Sequence, residues 1–172
     1  NLVDRLNDNK LLLSLIYVLL SFIFAFIIDQ VFIRVFRTVV KKSKTNIDDQ
    51  IVEVLHKPLY FTILFFGLSI SIKLLGPSEL LMFYIDASFK TIIIFAWSTS
   101  IYKSFIILIE WLSRKTDSFN FIQLKTIPLF ENLGKIVIFL LLIYFIMLSW
   151  GIDVTAWVAS AGILSVVIGF AA

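Results

Sequence analysis

The sequence predicts an all-α membrane protein with five transmembrane helices per chain, the last of them unlike the other four. Two observations predict it. Hydrophobic residues make up 60% of the 172, charged residues only 16%, and mean hydropathy is +0.99, whereas a soluble domain carries about a quarter charged residues. The charges also gather between long uncharged runs, and residues 11–28, 136–152 and 154–172 form runs of 18, 17 and 19. At about 1.5 Å per helical residue, such runs match a hydrocarbon core roughly 30 Å thick.

Residues 1–10 are a short polar lead, and 11–28 form the first span. Asp29 and Gln30 mark its far interface, with the helix continuing through Arg34, Arg37 and Lys41. An acidic group at this depth suits either a proton or ion site or a headgroup-level position beside the basic residues that follow. Residues 39–57 read as a polar loop containing a short amphipathic surface helix, 47–55, capped by Asn46 or Asp48. Asp48 and Asp49 are adjacent, so they do not share a helical face, and no third ligand lies nearby to make a metal site. His56, beside Lys57 and Pro58, reads as interfacial.

The second span, 59–72, is followed by Lys73 and ends at Gly76-Pro77. The third, 87–112, is less apolar and carries Lys90, Trp97, the cluster Ser98-Thr99-Ser100, Lys103 and Glu110. Lys103 is the most anomalous charge. It either faces a crevice or headgroup, or snorkels to the interface near Trp111. A second basic segment, 113–126, leads to Pro128 and to the fourth span, 136–152. Gly151 breaks that helix, and Asp153 stands at the N-cap position of the fifth.

The terminal segment, 154–172, divides on a helical wheel into three faces. Ala161, Gly162, Ser165, Gly169 and Ala172 make a flank with little side-chain bulk. Ala159, Ile163, Val166 and Phe170 make a second face, and Leu164, Val167, Ile168 and Ala171 a third. A small flank lets another helix backbone approach closely, which is how helices associate in lipid. Such a helix can pack against copies of itself in a ring, with Val166 and Phe170 as two apolar constrictions at the axis. The same pattern suits a helix packed inside an ordinary bundle.

The run Trp150-Gly151-Ile152-Asp153, then Ala159 to Ile163, then Ile168 to Ala172, resembles the pore-helix start of the small-conductance mechanosensitive channel family. The resemblance is specific over the last 23 or so residues and implies a central pore lined by this helix in a homoheptameric ring. It implies that Val166 and Phe170 form the pore constriction and that Ala161, Gly162, Ser165, Gly169 and Ala172 pack the pore helices. Gly151 and Asp153 form the turn leading into them. On this reading residues 1–126 are outer membrane-sensing helices, 127–153 the fourth span and turn, and 154–172 the first half of the pore helix. The Gln-rich kink, second half-helix and soluble domain of the family lie beyond this sequence.

Basic residues indicate an orientation. Six Lys and Arg fall in 34–57 and three in 114–125, against Arg5, Lys10, Lys73 and Lys90 on the opposite side. The positive-inside rule then puts both basic segments and the C-terminus in the cytoplasm, with the N-terminus outside, and the resemblance implies a multi-pass protein of a bacterial or archaeal plasma membrane. A loose repeat supports a duplicated hairpin: Lys44-Thr45 before Pro58-Leu59, and Lys115-Thr116 before Pro128-Leu129, each proline opening a span that closes at Gly76 or Gly151.

No nucleophile–base pair or metal triad can be assembled, so neither an enzyme nor a metal or cofactor site is expected. A net charge of +3 held in loops argues topology and not nucleic-acid binding, and the absence of cysteine removes disulfides and thiolate ligands. The expected partners are membrane lipids, identical subunits, and permeating ions and small solutes. The function that the resemblance implies is a weakly selective, tension-opened channel with an apolar gate, releasing ions and small osmolytes in hypo-osmotic shock. The alternative is a secondary transporter with a coupling pathway through Asp29, Lys103 and Glu110.

Overall fold

A computed structural model describes residues 9–40, 47–115 and 127–171. These form five α-helices and no strand: α1 (Lys10–Val40), α2 (Ile47–Leu74), α3 (Glu79–Lys115), α4 (Ile127–Ser149) and α5 (Thr155–Ala171). The first four are long and apolar enough to cross a membrane. With 17 residues, α5 is a shorter apolar helix, about 25 Å long. The polar lead through residue 8, the basic segments 41–46 and 116–126, and Ala172 lie outside the described residues.

One expectation is corrected. The surface helix 47–55 and the second span are a single helix, α2, with Pro58 inside it. Proline has no N–H for the Val54 carbonyl, which usually ends or kinks a helix. Here Pro58 is fully buried, and the Thr62 hydroxyl donates to its carbonyl oxygen at 2.7 Å.

Contacts run only between consecutive members of α1 to α4. Ser14 meets Ser71 at one end of the first seam and Asp29 meets His56 at the other, so α1 and α2 are antiparallel. Phe65 against Phe89 and Trp97 against Thr62 make α2 and α3 antiparallel, and Phe105 against Gly134 with Thr91 against Trp150 does the same for α3 and α4. The four helices therefore form an open, up-and-down row. The C-terminal ends of α1 and α3 and the N-terminal ends of α2 and α4 lie at one end of it, hereafter the basic-segment end.

The packing inverts the pattern of a soluble core. The buried positions of α1 are Ser14, Ser21, Ala25 and Asp29, spaced by seven, four and four residues on one stripe, while Leu19, Phe22, Phe24 and Phe26 are exposed. Small and polar residues at helix seams with large apolar ones outside is the arrangement lipid favours, since burying leucine gains little where the surroundings are as apolar. Ser14 and Ser71 each donate to the other's backbone carbonyl, at 3.0 and 2.7 Å, with their hydroxyls 2.9 Å apart. Gly67 lies against Ser21, close enough that a Cβ there would collide with that side chain. Across the second seam the Ser69 hydroxyl donates to Asp86 at 2.5 Å and Trp97 Nε1 donates to Thr62 Oγ1 at 3.0 Å.

Candidate functional site

The turn between α4 and α5 is built by backbone geometry. Gly151 has φ of 70°, in the left-handed region that glycine enters without a Cβ penalty. Its N–H donates to the Leu148 carbonyl at 3.1 Å and the Ile152 N–H to Met147 at 3.0 Å, the paired bonds that close a helix C-terminus. Asp153 Oδ1 then accepts from the Thr155 N–H at 2.9 Å, and the Val154 carbonyl accepts from Trp157 and Val158. Hydrogen bonds from the Thr155 hydroxyl and N–H hold the Asp153 carboxyl below the usual carboxylate range. Gly151 and Asp153 therefore stop one helix and start the next across the five residues 150–154.

Beyond this turn α5 packs against no other helix among the described residues. Every described side chain along it is exposed, with Phe170 at 90% and Val166 at 57%. The small flank is open: a Cβ added at Gly162 or Gly169 would meet nothing within 4 Å. Ser160 and Ser165 donate back to the Ala156 and Ala161 carbonyls at 2.8 Å, so their hydroxyls are satisfied inside the helix. Ala161, Gly162, Ser165 and Gly169 thus present a shallow face without unmet polar groups. An apolar helix this short is marginal in water and gains its stability from what covers it.

Comparison with protein-family models, curated proteins and solved structures gives no match.

The charged residues singled out in the sequence are distributed over two seams. Asp29 belongs to the α1–α2 seam, where its Oδ1 lies 3.0 Å from His56 Nδ1. Lys103 belongs to the α2–α3 seam, where it lines a groove of about 420 Å³ together with Glu53 and Lys57. α1 and α3 do not touch, so α2 stands between Asp29 and Lys103. Glu110 lies two turns beyond Lys103 on α3. A common pathway through Asp29 and Lys103 is not assembled within one chain.

The Asp29–His56 pair escaped sequence reasoning. Its members are 27 residues apart on different helices, and each alone reads as interfacial. The available signal was the α1 stripe Ser14, Ser21, Ala25, Asp29, which puts the one acidic residue of α1 on the face that meets a neighbour.

Proposed function

We propose that the chain is one subunit of a ring-shaped, tension-opened membrane channel whose pore is lined by α5. The observation that carries this reading is a charge-free helix with one small, smooth flank, exposed along its described length and packed on by no other helix among the described residues. Lipid alone could cover an apolar helix, but a flank of Ala161, Gly162, Ser165 and Gly169 is useful only to a close helical neighbour. Copies of α5 placed flank to flank leave the face of Val166 and Phe170 for the axis, forming a throat that excludes water and ions by dewetting. The resemblance to the small-conductance mechanosensitive family, with its heptameric ring, supports the same arrangement. A charge-free pore face accounts for weak selectivity among ions and small osmolytes.

Tension favours the state with the larger in-plane area, and shifts the equilibrium only by what it couples to differently in the two states. The open row α1–α4, apolar on both faces, supplies that coupling through its contact with lipid. Its antiparallel order is compatible with both basic segments being cytoplasmic and the N-terminus outside. The test is patch recording of the complete protein in liposomes. Wild type should open under suction, and Phe170→Ser should open at lower tension or leak. Wild-type membranes silent up to rupture would overturn the channel reading, and unaltered Phe170→Ser recordings would remove Phe170 from the gate.

A further inference from the structure

The groove between α2 and α3 at the basic-segment end contains features that the pore does not use. Lys57 and Lys103 come from different helices to line it, with Glu53 one turn from Lys57, which leaves one net positive charge. The Thr99 hydroxyl at its side is already committed to the Ala96 carbonyl at 2.9 Å, so the two ammonium groups are the charged donors left for an anion. Phe61, Ile92 and Phe95 give the rest of the wall an exposed apolar side, and Ser100 is a buried polar residue at its base.

The order of these residues along the bundle gives the groove a head and a tail. α2 runs away from the basic-segment end and α3 runs toward it, so Phe61, Phe95 and Ile92 all lie deeper than the lysines. At about 1.5 Å per residue they are roughly 6, 12 and 16 Å deeper. Depth in a bilayer follows from α2: Lys57 and Lys73 bracket a charge-free stretch about 24 Å long. With side chains reaching outward, the two charges sit at opposite headgroup layers. Lys103 shares the groove with Lys57 and hence its layer.

We propose that this groove binds an anionic glycerophospholipid, its phosphate held between Lys57 and Lys103 and an acyl chain laid along Phe61, Phe95 and Ile92. A phosphate anion is the chemistry two converging ammonium groups recognise, and a basic pocket between membrane helices is a recurrent headgroup site. The apolar wall assigns the anion to a lipid and not to free phosphate, which has nothing to place there. A volume of about 420 Å³ accommodates a headgroup with the first part of a chain. The site does not depend on whether the chain conducts.

The experiment is equilibrium binding by native mass spectrometry on the complete protein in detergent, with short-chain phosphatidylglycerol, short-chain phosphatidylcholine and inorganic phosphate as probes. At roughly fivefold per unit of charge, the groove's single net positive charge should make wild type prefer phosphatidylglycerol by about fivefold, and Lys57→Gln/Lys103→Gln should abolish that preference. Glu53→Gln should tighten phosphatidylglycerol about fivefold, and it tests the site even if the double variant does not fold. Equal affinity for the two lipids, a preference surviving in the folded double variant, no gain in Glu53→Gln, or displacement of phosphatidylglycerol by equimolar phosphate would each overturn the proposal.

Discussion

Asp29 and His56 face each other across the first seam, Oδ1 to Nδ1 at 3.0 Å, with Asp29 buried and His56 partly so. Together with the serine pair Ser14–Ser71 near the far end, this contact pins α1 to α2 at two heights. Removing one partner leaves the other without its hydrogen bond, which costs about 1–3 kcal/mol when the group is buried. Asp29→Ala leaves the partly buried His56 unpaired and should therefore destabilise the hairpin by about 1 kcal/mol, the low end of that range, and Asp29→Asn, which keeps an acceptor oxygen, by less. Reversible unfolding in mixed micelles measures both, and equal losses would show that the acceptor oxygen is not what matters.

The close approach of Gly67 to Ser21 predicts a non-additive pair. A Cβ at position 67 would lie 2.6 Å from Ser21 Cβ and 3.3 Å from its Cα, so the backbone itself must move. Gly67→Ala should cost about 1–3 kcal/mol by overpacking. Ser21→Gly removes the colliding atoms, and the double variant should be less destabilised than the sum of the singles. A simple additive result in a double-mutant cycle would show that the two helices separate freely at this point.

Asp153 predicts a pH dependence with a definite sign. Its folded-state pKa is depressed by the hydrogen bonds from Thr155, so its stabilising contribution is fully present above the unfolded carboxylate value. It is lost as pH falls below about 4 and through the lower folded-state value. Asp153→Asn retains an acceptor but cannot titrate, so the start of α5 should lose that acid sensitivity. Hydrogen exchange at the Thr155 amide between pH 5 and 3 reads it directly, and identical profiles for variant and wild type would contradict the cap.

Gly162 and Gly169 have open space around them, so Gly162→Leu and Gly169→Leu create no clash within the chain. Each should leave monomer folding within about 0.5 kcal/mol of wild type, as for substitutions away from internal contacts. Each should nevertheless weaken association of copies, lowering the mass found by light scattering in detergent. Unchanged mass would take the small flank out of the subunit interface.

The spans were legible because lipid imposes a simple rule: a long uncharged run has to be helical to satisfy its own backbone. Residues 11–28 fall inside α1 for that reason, and 136–149 inside α4, which ends three residues before the uncharged run does. The α4–α5 turn was equally readable from Gly151 and Asp153, whose roles are local. What stayed hidden is the pairing across seams. Ser14 and Ser71 are 57 residues apart, and nothing in either stretch selects the other. Pro58 misled because it reads as the opening of a span, whereas in the structure it is fully buried and α2 runs on through it. For α5 the faces were legible but not their occupants, since no other helix among the described residues packs on them.

The open row has a consequence for how the chain is made. Every seam joins two helices that are also neighbours in the order of synthesis, so each new segment finds its mate already in place. Nothing waits for a distant strand of chain to close a circle, and loop-closure entropy stays low throughout. α5 follows the others in that order and pairs with no other helix among the described residues, so it gains nothing from this sequential pairing.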